Sequence, residues 1–239
     1  MVQQTKKLVS IVIPAYNEET TIGLVLRDLL QQTKKLSSSY RFEIIVSYDE
    51  GTDKTKDVIL QFPVILSENT LSGSKGGAMR HGFAQCKGEW IIMLDADYSH
   101  RLEDLPKFLD ALEKGAMLVV GSRKTGGSDE YTGVRGIGNE LLTGVFRVLW
   151  GLPMTDVLNG YKAFRRCVIG LPLHSPGFEI ELELIKNALV CGGPVVEVES
   201  HERARAGGEM KSHAIREGYR FLMGILKNGL IYRYHQLKK

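Results

Sequence analysis

An open, mostly parallel α/β sheet flanked by helices is the fold this sequence predicts, and three observations predict it. Short apolar, β-branched runs recur along the chain, helix-patterned segments separate them, and the residues just after the runs turn abruptly polar. At 239 residues the chain holds one domain with a sizeable core and falls short of two comfortable ones. Hydrophobic residues at 43% and charged residues at 25% exclude a disordered, collagen-like or fibrous chain.

The elements follow in order. Residues 8–13 and 42–46 read as buried parallel strands, and Ile22, Val25, Leu26, Leu29 and Leu30 recur between them at helical spacing, completing one βαβ unit. Residues 64–66 form a third short strand, 77–86 a helix, and 90–94 another buried strand. Leu105, Phe108, Leu109 and Leu112 mark the next helix, and 117–120 the next strand. Residues 121–138 are rich in Gly, Ser and Thr and are expected to form a mobile loop. Beyond it a helix is expected around 141–150, a turn over 151–156, a helix over 179–189 and a strand over 195–198. Residues 1–212 are assigned to the sheet domain and 213–239 to an amphipathic helical tail.

Charge and cysteine usage narrow the function classes. The formal charge is +3, too small for a bulk nucleic-acid binder, so no nucleic-acid partner is expected. Cys86, Cys167 and Cys191 are odd in number and widely spaced, which supports neither a disulfide scaffold nor a zinc site and points to a reducing, cytoplasmic compartment. No apolar stretch reaches the roughly 18 residues a spanning helix needs, and Pro14, Asn17, Glu18 and Glu19 stand where a signal peptide would be cleaved.

Ligands of open α/β sheets bind at the carboxyl ends of the strands. There stand Pro14 to Glu19, then Ser47 to Asp53, then Asp95-Ala96-Asp97. G-x-G-x-x-G and Walker patterns are absent. Asp95 and Asp97 alternate at the end of a buried strand, where they would offer hard oxygens to Mg²⁺ or Mn²⁺; in a random loop such a pair would be a turn cap. Lys75 reads as a surface lysine, and Glu179, Glu181 and Glu183 read as a solvated face. The six histidines show no metal-ligand spacing.

Pro14-Ala15-Tyr16-Asn17-Glu18, the segment 49–55, Gly88 with Asp95-Ala96-Asp97, and Gly121-Ser122-Arg123 resemble the inverting glycosyltransferases of family two. Residues 94–100, 103–106, Asn159-Gly160-Tyr161-Lys162, Gly177-Phe178-Glu179 and 205–211 resemble the dolichyl-phosphate mannose synthase group within it. The resemblance implies the GT-A fold and a donor-nucleotide site built from Pro14, Tyr16, Glu18, Asp49 and Ala96, with Arg205 and Lys211 holding the diphosphate from the opposite side. It implies Mg²⁺ or Mn²⁺ on Asp95 and Asp97, a nucleotide-sugar donor such as GDP-mannose, and a dolichyl or polyprenyl phosphate acceptor.

A phosphate monoester, with its second pKa about 6, needs no carboxylate base but does need cationic forks. Arg123 and Arg135 suit that role, and Asn159 is placed with them. Asp156 either orients acceptor or sugar, or caps a turn.

Two alternatives stay open. The first is a glycosyltransferase with another donor, of UDP-glucose type, or with a saccharide acceptor; the second is a non-catalytic nucleotide-sugar-binding subunit. The tail carries Tyr219, Leu222, Met223, Leu226 and Leu230 among Arg and Lys residues. That stripe fits either packing on the core or a peripheral seat on the cytosolic face of a membrane, beside a membrane-embedded partner subunit.

Overall fold

The computed structural model describes residues 6–69, 73–129, 134–204, 206 and 214–237. Its centre is a seven-stranded sheet made of β1 (Lys7–Ala15), β2 (Tyr40–Asp49), β3 (Ile65–Asn69), β4 (Trp90–Met93), β5 (Leu118–Ser122), β6 (Lys162–Arg165) and β7 (Val195–Glu199). The spatial order is β3-β2-β1-β4-β6-β5-β7, and β6 alone runs antiparallel to its neighbours.

Among the described residues the α-helices are α1 (Ile22–Lys35), α2 (Thr55–Ile59), α3 (Lys75–Gln85), α4 (Leu105–Glu113), α5 (Arg123–Gly126), α6 (Val134–Trp150), α7 (Ile180–Val190) and α8 (Ala214–Leu237). Alternation along β1 sends Val9, Ile11 and Ile13 into a core layer shared with α1 and α4, while Val12 joins the opposite layer with α3, α6, α7 and α8. Buried Ile22, Val25, Leu26 and Leu29 anchor α1, each stabilising by on the order of 2 kcal/mol. Helix α3 crosses the sheet closely because residue 82 is glycine; a methyl there would lie 2.5 Å from Val12 Cγ1.

The chain moves from β1 outward through β2 to β3, then returns to β4 on the other flank of β1. This reversal opens a crevice at the carboxyl ends of β1 and β4, where ligands of such sheets bind. Antiparallel β6 then brings its amino end to the same edge, pairing Lys162 with Met93. Residues 159–162 thereby arrive beside Asp95.

The structure departs from the sequence reading in several places. The segment 121–138 is not one continuous loop: Ser122 closes β5, α5 follows at once, and α6 already runs from Val134. β6, unrecognised in the sequence, sits inside the sheet. Lys75 is not a surface residue, its side chain being only 12% exposed.

The apolar stripe of α8 packs only in part, with Leu222 and Leu226 half-buried. Tyr219, Met223 and Leu230 are exposed, while Phe221, Ile225 and Asn228 face inward. Gly224 and Gly229 allow that approach, since a methyl on either would press on Leu182 or on the Trp150 indole, at 2.9 and 2.8 Å.

Candidate active site

A cleft of about 730 Å³ opens at the switch between β1 and β4. Pro14, Ala15, Tyr16, Glu18 and Asp49 form one wall, and Asp95, Ala96 and Asp97 form its floor. Pro176, Gly177, Phe178 and the first turns of α8, through Arg216, Glu217 and Arg220, close the far side. The sheet topology thus brings together seven residues that the sequence reading placed in a donor and metal site.

Local hydrogen bonds shape the nucleotide side. Asn17 takes a left-handed conformation, φ 51°, which asparagine tolerates, and its Oδ1 accepts from the Thr52 amide at 2.8 Å. The Glu18 carboxylate accepts from Thr21 Oγ1 at 2.8 Å, tying the first loop to the start of α1. Buried Asp49 accepts from Asn69 Nδ2 at 2.7 Å, and the Tyr48 hydroxyl accepts from the Gly51 amide at 3.0 Å, so Tyr48 folds the turn that follows β2.

The floor is electrostatically loaded. Asp95 Oδ1 lies 2.7 Å from Lys75 Nζ, and Lys75 also reaches Glu181 at 3.2 Å. Glu181 in turn lies 2.5 Å from the fully buried Lys162, whose ammonium also donates to the Asn159 carbonyl. Lys75 sits 4.2 Å above the Phe178 ring. Burial works against the Lys75 charge, but Asp95 and Glu181 outweigh it and hold its pKa above the ordinary lysine value. Burial likewise pushes Asp95 up, yet Lys75 and then His100 override it and keep the carboxyl well below the usual range. Asp95 is therefore ionised at any working pH.

Asp97 accepts from both the Ser99 amide, at 3.1 Å, and the Ser99 hydroxyl, at 2.6 Å. The turn that permits this places Tyr98 at φ 63°, a left-handed conformation costly for a bulky residue and typical of functional loops. A 2.5 Å hydrogen bond from its hydroxyl to Asp28 and the Arg203 guanidinium over its ring hold it there.

Asp95 and Asp97 supply hard oxygens fit for Mg²⁺ or Mn²⁺. The buried His100 Nε2, 3.4 Å from Asp95 Oδ2, makes no well-formed hydrogen bond of its own. Among the described residues no cluster of three acid, histidine or cysteine side chains would hold a metal, so water or a bound diphosphate would complete the coordination.

The other predicted residues lie elsewhere. Asp156, fully buried, grips Arg123 through Nε at 2.6 Å and Nη2 at 2.8 Å, and Arg123 also meets Glu202 at 3.1 Å. Thr155 and Asp156 amides donate to Glu197 at 2.8 Å, fastening this cluster to β7. Arg123, Asp156 and Asn159 do not line the cleft. Arg205, Lys211 and the side chain of Arg135 fall outside the described residues.

Sequence reasoning missed Lys75, Glu181 and Lys162. Glu181 and Glu183 are buried rather than solvated. The available signal was the helix itself: Ile180, Leu182, Leu184 and Ile185 leave no polar face, so glutamates among them must go inside.

Residues 10–170 match the family described as Glycosyl transferase family 2. Over 230 residues the chain is 28% identical to the dolichol-phosphate mannosyltransferase of Pyrococcus furiosus, an alignment covering 92% of this chain and 64% of that protein. It is 30% identical over 176 residues to the undecaprenyl-phosphate 4-deoxy-4-formamido-L-arabinose transferase of Photorhabdus laumondii, covering 70% and 51%. It is 32% identical over 174 residues to the dolichyl-phosphate beta-glucosyltransferase of Trichomonas vaginalis, covering 66% and 53%. The chain thus spans about half to two thirds of the length of these relatives.

In fold it resembles glucosyl-3-phosphoglycerate synthase of Mycobacterium tuberculosis, crystallised with Mn²⁺, UDP and glucosyl-3-phosphoglycerate. The TM-score is 0.72 at 20% identity, over 93% of this chain and 80% of the other. That likeness concerns the fold, which is the expected GT-A architecture. With a topological switch that gathers the expected loops at one cleft, and with 161 consecutive residues matching its profile, the chain belongs to glycosyl transferase family 2.

Proposed function

We propose that this protein transfers a hexose from a nucleotide sugar to a polyprenyl phosphate with inversion at the anomeric carbon. The observation that carries the reading is the convergence of Asp95 and Asp97 with the Pro14–Glu18 and Asp49 walls in one cleft. The names of three relatives, all transferases of sugars to prenyl phosphates, supply the acceptor class. An acceptor phosphate oxygen attacks the anomeric carbon, a new C–O bond forms, and the bond to the nucleoside diphosphate breaks with its electron pair. No general base is required, because the monoester is largely ionised above about pH 6. Asp95 and Asp97 would hold the divalent ion, which supplies charge stabilisation for the departing diphosphate.

Mannose from GDP-mannose is the donor we favour, with UDP-glucose as the competing one. Arg205, Lys211 and Arg135 complete the reading as cations toward the two phosphates, and Arg123 with Asp156 and Asn159 as the acceptor-side support. The protein works from the cytosolic face of a membrane, against which α6 and α8 lie. Ile137, Leu141 and Val148 on α6 and Tyr219, Met223 and Leu230 on α8 are exposed apolar residues, accompanied by Arg147, Arg233 and Lys227. Among the described residues no helix is long and apolar enough to cross a membrane. A membrane-embedded partner subunit fits this arrangement.

The test is incubation of the purified protein with GDP-mannose or UDP-glucose, Mn²⁺ or Mg²⁺, and polyprenyl phosphate, followed by extraction into chloroform. A lipid-soluble sugar phosphate is expected. Transfer to soluble saccharides alone would assign the saccharide-acceptor alternative, and donor binding without turnover the non-catalytic one. Flotation with anionic vesicles, weakened by Met223→Glu with Leu230→Glu, checks the membrane seat.

A further inference from the structure

Asp95, Lys75, Glu181 and Lys162 form one continuous chain of alternating charges, with contacts of 2.7, 3.2 and 2.5 Å. We propose that Lys75 is a built-in counter-ion that reserves the metal seat. In the empty cleft its ammonium occupies Asp95, and a divalent ion takes that carboxylate only together with a diphosphate, to which Lys75 then turns. The inference rests on the reading of the cleft as a nucleotide-sugar site and assigns the order in which that site fills.

The local charge argues for it first. Lys75, Lys162, Asp95 and Glu181 sum to zero and Asp97 adds a single negative charge, so a dication entering alone would meet little net attraction and would face the Lys75 ammonium at close range. A diphosphate deepens that negative charge and makes room for both cations. Asp95 Oδ2 lies against the 159–160 turn, where a methyl on Gly160 would sit 2.4 Å from it, so the turn bounds the carboxylate on the side away from Lys75.

Departure of Lys75 is also tolerable on the other side. Glu181 keeps Lys162 as its partner, so no buried carboxylate is stranded. Lys75 is the first residue of α3, where Ser74 Oγ accepts from the Gly77 amide, so its long side chain can swing without disturbing the helix. Finally, with no three-ligand cluster among the described residues, the protein offers a dication little without the diphosphate.

The test is Mn²⁺ titration followed by electron paramagnetic resonance on the full chain, with and without GDP or UDP. Wild type should bind Mn²⁺ weakly alone and on the order of 100-fold more tightly with the matching diphosphate. Lys75→Met should bind Mn²⁺ alone about tenfold more tightly than wild type, and its coupling to the diphosphate should shrink by at least that factor. Lys75→Gln, which keeps hydrogen bonds to both acids without the charge, should do the same, whereas Lys75→Arg should resemble wild type.

Tight Mn²⁺ binding by wild type without nucleotide would overturn the proposal, and this arm needs no variant. So would folded Lys75→Met or Lys75→Gln proteins with unchanged Mn²⁺ affinity. If neither GDP nor UDP binds, the donor reading fails, and the Mn²⁺-alone comparison still decides the role of Lys75.

Discussion

Two buried clusters of opposite charges stand on the carboxyl side of the sheet and differ in how tightly their cations are held. Arg123 is gripped by Asp156 through two parallel bonds and by Glu202 through a third contact, and Asp156 is fully buried. Lys75 is shared by two acids through single contacts, and its partner Asp95 faces the cleft. A planar fork matched to a carboxylate resists rearrangement, whereas an ammonium on a flexible stem can move between anions. The first cluster braces β5, the 155–156 turn and the segment after β7; the second can answer a ligand.

The sharpest test of that division is Asp97→Ala. Asp97 lies on the cleft floor, bonded locally to Ser99, so its loss should leave the fold intact and cut sugar transfer to the prenyl phosphate at least about 10³-fold. Extraction of lipid-linked sugar measures the loss, and circular dichroism checks the fold. Asp156→Ala should act chiefly through stability. Removing it takes the two-bond carboxylate partner from the buried Arg123 guanidinium and should cost about 3 kcal/mol of stability by urea unfolding. If Asp156→Ala proves stable but inactive, the brace interpretation fails and Asp156 belongs with the chemistry.

Gly160→Ala should produce a smaller effect. The added methyl would meet Asp95 Oδ2 at 2.4 Å and displace the carboxylate, at a cost of about 1–2 kcal/mol. Because the 159–160 turn flanks the cleft floor, kcat should fall more than melting temperature does. A loss of stability with kcat unchanged would show that Asp95 can yield without consequence.

How much of this was legible in the sequence differs between the same two regions. β1, β2, β4, α1 and α4 announce themselves because one or both faces are buried over several turns or residues, which leaves a period to read. The acid pair was legible for the same reason, standing at the end of a wholly buried strand. β6 was not: its four residues, Lys162 to Arg165, include two cations, and the apolar signal is only Ala163 and Phe164.

The Lys75 network was hidden by distance along the chain, since Lys75 and Glu181 are 106 positions apart and no local pattern couples them. In α8 the eye follows Tyr219, Met223 and Leu230, whereas the core is met by Phe221 and Ile225 flanked by glycines, whose contribution lies in what they lack. Large side chains mark a stripe in a sequence; close helix contact through Gly224 and Gly229 does not.

Read on stability alone, where its expected effect is modest, Asp95→Asn separates the two clusters by pH. The folded Asp95 carboxyl titrates well below its unfolded value of about 3.9, so its contribution is fully present above that value. It is lost as pH falls toward the lower folded value, where the unfolded chain already binds the proton. At pH 7 the variant should be less stable than wild type by about 1–2 kcal/mol, since Lys75 keeps Glu181 but loses one charged partner. The gap between the two proteins should narrow steadily in urea titrations taken from pH 5 down to about pH 2. A gap that stays constant over that range would mean that Asp95 is not held ionised by Lys75, and the contrast between a movable pair and a fixed fork would lose its electrostatic basis.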